Sequence, residues 1–323
     1  MNAFTVMLLG LHLLGCGSDP VRPRPPAWVP QTSGTPVTLL GTYFTDARVG
    51  MVVGAIGTIL RTTDSGTTWT VQNSGTDAHL LDVAFMDTRR GVAVGGRNNI
   101  LTIVRTTDGG QTWTPQLTLQ TSNDYYLRSV CFPDSSTGTV VGDLGTILRT
   151  TDSGTTWMPQ NSGTSEHLLG VFFTDINIGT AVGLKGTILR TTDGGETWVP
   201  QTSGTPAWLF DVFFTDSNHG VAVGQIGSIL STSDGGENWL VRQYSVYDLR
   251  SVCFANANVG SAVGGGSILR TTDGGQTWVQ QEGQGGGAFG HYDVHLVDVN
   301  YGTIVGDGGI ILHTTTGGNV APW

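Results

Sequence analysis

The chain has 323 residues, of which only 12% are charged and 49 are glycine, with a formal net charge of −10. Sequence this rich in Gly and Thr, with Lys185 as its only lysine, argues against a fold built on long helices. The acidic balance argues against nucleic acid as a partner, because phosphate binding normally shows as a basic patch or stripe.

Thr5 to Leu14 form an apolar run too short to cross a bilayer of roughly 30 Å. The run ends in Leu13-Leu14-Gly15-Cys16, which resembles the lipobox of bacterial lipoproteins. Residues 1–15 are therefore expected to be a lipoprotein-type signal peptide, with Cys16 lipidated after cleavage. No Lys or Arg precedes the run, a departure from the usual positive start of such peptides, so a plain cleaved signal is the alternative. Residues 16–27 are Pro-rich and should act as a semi-rigid tether. The expected location is the bacterial cell envelope, lipid-anchored on the periplasmic side or at the outer membrane, or else secreted.

From Trp28 onward the sequence repeats. Thr-x-Asp-x-Gly-x-x-Trp occurs six times, with aspartates at Asp64, Asp108, Asp152, Asp193, Asp234 and Asp273. A Val-Gly pair recurs seven times, ending at Gly54, Gly95, Gly142, Gly183, Gly224, Gly264 and Gly306. Seven units of about 42 residues each parse into four short alternating strands separated by turn residues. Four strands at this period make a propeller blade. The expected fold is all-β, a seven-bladed β-propeller over residues 28–323.

The seventh unit has Thr316 where the turn aspartate belongs. Its outer strand is supplied from the other end of the chain. Trp28 through Pro36 is identical to Trp198 through Pro206, which follows a complete Asp turn. The N-terminal segment is thus expected to pair with the C-terminal blade, closing the ring and hiding strand edges. The six turn aspartates read as structural, since Asp accepts backbone N–H bonds in a tight turn and Gly two places on permits positive φ. Cys131 and Cys253 hold matching places three units apart, too far for a bridge, and read as small buried hydrophobes.

The turn repeats, with Phe173-Thr-Asp-Ile-Asn-Ile-Gly-Thr-Ala-Val-Gly183 ahead of one of them, resemble bacterial neuraminidase (Asp-box) repeat proteins. They resemble more closely the photosystem II stability and assembly factor family of plants and cyanobacteria, which has relatives in non-photosynthetic bacteria. The resemblance implies a non-enzymatic scaffold that binds a protein, including an integral membrane protein, during assembly. It also implies an arginine patch, matched here by Arg61, Arg105, Arg149, Arg190 and Arg270, each directly before Thr-Thr-Asp. The alternative for each is a stem covering the blade surface and pairing with a nearby Asp.

Departures from the repeat give the other candidates. Arg128 and Arg250 open the innermost strands of blades 3 and 6, where other blades carry Leu81, Leu169, Phe210 or Tyr292, and should stand near one channel mouth. An inserted loop from Leu117 to Tyr126 brings Asp124, Tyr125 and Tyr126 to the same end, and Arg with Tyr suits a protein interface. Gln281 to Gly290 reads as a flexible connection. The alternative function is glycan binding or sialidase-like glycoside hydrolysis, which needs paired carboxyls. Of the 25 acids, 12 are repeat-locked, and no pair stands out among the other 13. No cofactor motif or metal cluster is expected, and no catalytic residue is assigned.

Overall fold

A computed structural model describes residues 27–281 and 290–318 of the chain. The expected signal peptide, Cys16 and the tether through residue 26 lie outside the described residues, as do residues 282–289 and 319–323.

The repeat folds as its spacing predicts, into seven antiparallel four-stranded sheets. Six are continuous in sequence: blade 1 spans residues 39–72, blade 2 79–120, blade 3 127–160, blade 4 168–201, blade 5 209–243 and blade 6 251–280. Blade 7 joins the strands His291–Leu296, Gly302–Gly306 and Ile311–Thr314 to the N-terminal Val29–Gln31. The innermost strands stand side by side in a closed circle, with Leu39–Phe44 between His79–Phe85 and His291–Leu296. Second strands such as Gly50–Gly54 and Gly179–Gly183 are buried at every position, because a neighbouring blade covers each face.

The Phe-x-Asp-x-x-x-Gly string and the Asp turn form one mechanical unit. Phe173 lies against Gly179, where an added Cβ would come within 2.5 Å of the ring. The same Phe meets Trp198 edge-on, with centroids 5.9 Å apart and planes at 88°. Blades 1, 2, 5 and 6 repeat the pair as Phe44–Trp69, Phe85–Trp113, Phe214–Trp239 and Phe254–Trp278. The turn aspartate holds the hairpin that delivers the Trp. Asp64 accepts from Thr62 Oγ1 at 2.8 Å, Thr68 N at 2.9 Å and Thr68 Oγ1 at 2.7 Å. These local donors stabilise the anion, and in the equivalent turns hold Asp152, Asp193 and Asp234 down to about 2.

Closure is made by side chain as well as backbone. Val29, Pro30 and Gln31 pair with His313, Leu312 and Ile311. Trp28 is fully buried and its Nε1 donates to Gln281 Oε1 at 3.0 Å, as Trp69 Nε1 does to Gln31 Oε1 at 3.3 Å. The N-terminal segment thus restores the Trp as well as the strand that the seventh unit lacks.

One expectation is revised. Residues Leu117 to Gln120 are not loop but continue the outer strand Thr114–Gln120, paired along Ile100–Thr106. The cause is the turn Asn98-Asn99, with φ of +52° and +65°, which lets Gly91–Arg97 run two residues further, and Ile100–Thr106 begin three residues earlier, than their counterparts in blade 1.

Candidate binding site at the mouth of the central channel

The seven innermost strands enclose a channel cavity of about 520 Å3. In six blades the pairing skips one residue near the start of the strand, as between Leu39 and Gly41. Such an irregularity re-aims the unpaired side chain. The residues so released are Leu40, Leu81, Arg128, Leu169, Phe210 and Tyr292, and with Arg250 of blade 6 they line the channel at one mouth.

The two arginines have different surroundings. Arg128 Nε and Nη2 donate to Asp143 Oδ1 and Oδ2 at 2.8 and 2.9 Å. The Asp143 side chain is 2% exposed and also faces His167 Nδ1 at 2.8 Å and accepts from Tyr126 N at 3.0 Å. The Tyr126 ring lies 4.9 Å below the Arg128 guanidinium, and its hydroxyl donates to Asp124 at 2.9 Å. Arg250 stacks instead on rings, 4.5 Å from the centre of Phe210 and 5.7 Å from that of Tyr292. Among the described residues, the acid within ion-pair reach of it is Asp248, at 3.7 Å. The inserted segment divides: Tyr126 belongs to the mouth, whereas Tyr125 packs between blades 2 and 3.

One position past the channel-mouth ring are three carboxyls that the sequence reading passed over. Asp82, Asp211 and Asp293 line the channel, and each accepts a backbone N–H from the next blade, at Val130, Val252 and Thr42 respectively, at 2.7–2.9 Å. Burial, and then the charge of Asp293, pushes Asp82 up to about 7; burial likewise pushes Asp211 up to about 7 and raises Asp293. Aligning the innermost strands shows the signal. This column reads Gly41, Asp82, Ser129, Gly170, Asp211, Ser251 and Asp293, and alternation along a strand turns its acids toward the N–H donors of the following blade. Further in, Cys131 and Cys253 accept N–H bonds from Phe173 and Leu296 of the following blades, and burial pushes both thiols up to about 12. Cys253 is buried, whereas Cys131 is half-buried, and both line the channel. His295 lines the same cavity, held down to about 4 by burial. Among the described residues no group of three His, Cys, Asp or Glu could hold a metal ion.

The five repeat arginines lie at the opposite end, beside the Asp turns. Arg61 Nε donates to Gly109 O and Arg105 Nε to Ser153 O, both at 2.8 Å. Arg149 and Arg190 reach Ile176 O and Ser217 O at 2.7 Å, and Arg270 bonds Gly317 O. Each therefore ties its blade to the backbone of the next. These hydrogen bonds go to carbonyls and not to the carboxylates of the alternative reading, which suits guanidinium groups half-buried, or for Arg270 buried, at a blade seam.

Residues 68–161 match the model of the Photosynthesis system II assembly factor YCF48 family, a span that includes Arg128 and Asp143. Over that span the chain resembles the photosystem II assembly factor family. Among solved structures it superposes on YCF48 bound to D1 peptide with a TM-score of 0.74 at 24% identity, covering 93% of this chain and 99% of that one. For YCF48 from Cyanidioschyzon merolae the TM-score is 0.73 at 20% identity, covering 89% and 98%. The WD40 propeller domain of Doa1 reaches 0.69 at 12% identity, covering 88% and 96%. No curated protein matches the chain. At these identities the superpositions show the propeller fold alone, and the resemblance to the assembly factor family rests on residues 68–161.

Proposed function

We propose that this propeller is a non-enzymatic scaffold that captures a segment of a protein partner, a membrane protein in particular, at the Arg128–Arg250 mouth of its channel. The observation that carries the reading is the mouth itself, where a rigid ring presents cationic and aromatic side chains that break the sevenfold repeat. The assembly factor-like match, together with a YCF48 structure described as bound to D1 peptide, supports a protein as the partner. Lipidation at Cys16 would hold the propeller beside membrane proteins at the envelope.

The glycoside hydrolase reading draws on Asp82, Asp211 and Asp293, since carboxyls raised toward neutrality can serve as general acids. Against it, these carboxyls bind the backbone of their own and neighbouring blades, with Ser251 also on Asp293, and two arginines stand at the mouth where a sialidase needs three.

A photo-crosslinking residue separates the possibilities in intact cells. Placed at the exposed Val246 beside the mouth, it should give adducts with a membrane-fraction protein; placed at the exposed Met158 on the outer rim, it should not. Equal adducts at both places, or none at residue 246 together with release of fluorophore from a fluorogenic sialoside, would remove the scaffold reading.

A further inference from the structure

Arg128 and Arg250 hold matching places on the channel mouth, and among the described residues only Arg128 is neutralised by a close carboxylate. In blade 3 the loop after Gly142 carries Asp143, which closes on Arg128. In blade 6 the loop after Gly264 is one residue shorter. Gly265 and Gly266, with φ of +51° and +82°, turn the chain straight back, and no acid occupies the place of Asp143. An acid cannot simply be restored there, because a Cβ on Gly265 would lie 2.4 Å from Tyr247 Cβ. Tyr247 belongs to a connection, Tyr244-Ser-Val-Tyr-Asp248, that lacks the Ser-Gly-Thr of most others. Asp248 answers Arg250 only at 3.7 Å, through Oδ2, while its Oδ1 accepts from Ile226 N at 3.0 Å.

The result is a guanidinium whose face is covered by Phe210 and whose planar edge, among the described residues, carries no bidentate partner. Stacking fixes the plane, and the free edge offers two parallel N–H donors, the arrangement that matches a carboxylate. Around it Trp208, Ile226, Val246 and Tyr247 are exposed. Ile226 also holds φ of +53°, which is unusual for a β-branched residue and presents its side chain at the loop tip. A phosphate-rich ligand would call for several cations, and among the described residues this mouth, on a chain of net charge −10, has one guanidinium without a close carboxylate.

We infer that Arg250 is a carboxylate receptor, binding an acidic side chain or a C-terminal carboxylate of a partner peptide whose adjacent apolar side chains rest on Ile226, Val246 and Tyr247. This rests on the reading of the chain as a protein-binding propeller and names the chemistry of its ligand. The test is selection of random phage-displayed peptides, in formats with internal and with free C-terminal ends, on wild type and on Arg250→Gln, followed by anisotropy titration of a selected peptide. Wild type should enrich peptides with a carboxylate beside apolar residues. Replacing that carboxylate by Gln or by a terminal amide, which separates the two sources, should weaken binding about 10- to 100-fold. Arg250→Gln should weaken it as much and make the peptide change silent. Arg250→Lys, which keeps the charge and loses the fork, should fall on the weakened side, and a melting curve matching wild type shows that each variant folds. Peptides that bind regardless of the carboxylate, or that still depend on it in Arg250→Gln, overturn the receptor assignment and leave peptide binding standing. No enrichment on either protein, or capture of sialyllactose in place of peptides, overturns both.

Discussion

At the scale of single residues, the two mouth arginines separate a structural role from a binding one. Asp143 is buried with its negative charge held by Arg128, so removing the arginine strands the charge. Arg128→Ala should therefore lower stability by about 1–3 kcal/mol in a urea titration. Arg250→Ala should stay within about 0.5 kcal/mol of wild type, since its stacked side chain is exposed and its ion pair long. Equal losses would contradict the division of roles. The positions of both arginines were legible in the sequence as breaks in a repeat. The pairing with Asp143 was not, because Asp143 sits 15 residues on, in a loop whose length differs between blades, and repeat alignment says nothing of which loop bends back over the mouth.

At the scale of elements, the blade was legible because its recurring residues act on one another. Phe, Gly and Trp are each placed by direct contact within one sheet, so the pattern survives in every unit that needs it. Blade 7 shows the rule by exchange: Leu296 replaces the Phe, Trp28 enters from the N-terminal strand, and Gly302 makes room for both. Trp28→Ala should cost about 3–5 kcal/mol, measured by the urea midpoint. The half-exposed Trp69 should cost less when truncated, and a reversed order would mean that the closing strand does not latch the ring. The hydrogen bonds of the repeat arginines were not legible at this scale. Sequence showed a cation in register with acids, and could not show that a neighbouring blade's carbonyls lie nearer.

At the scale of the whole molecule, the channel couples groups from blades far apart in sequence. Asp82 and Asp211 titrate near 7 in the folded protein and near 3.9 when unfolded, so the folded form holds more protons between those values. Their contribution is complete at low pH and is lost as pH rises through 7. The buried histidines His291, His295 and His313, all held low, act in the opposite sense, but only below about pH 6.5. Between pH 6.5 and pH 8 stability should therefore fall by about 1–2 kcal/mol, and Asp82→Asn with Asp211→Asn should flatten that fall in urea titrations at each pH. A fall that persists in the double variant would place the effect elsewhere. These acids escaped the sequence reading because they are neighbours only across the ring, at separations that no local pattern records.

The pairing of Val29 with His313 also bears on how the protein is made. During synthesis the first strand to emerge has nothing to bind until nearly all the rest has followed, so the nascent chain must carry two open sheet edges throughout. A product stopped short of residue 311 keeps both edges bare and is marked, by that alone, for aggregation or proteolysis. Completion of the last blade is thus the event that separates a finished molecule from debris.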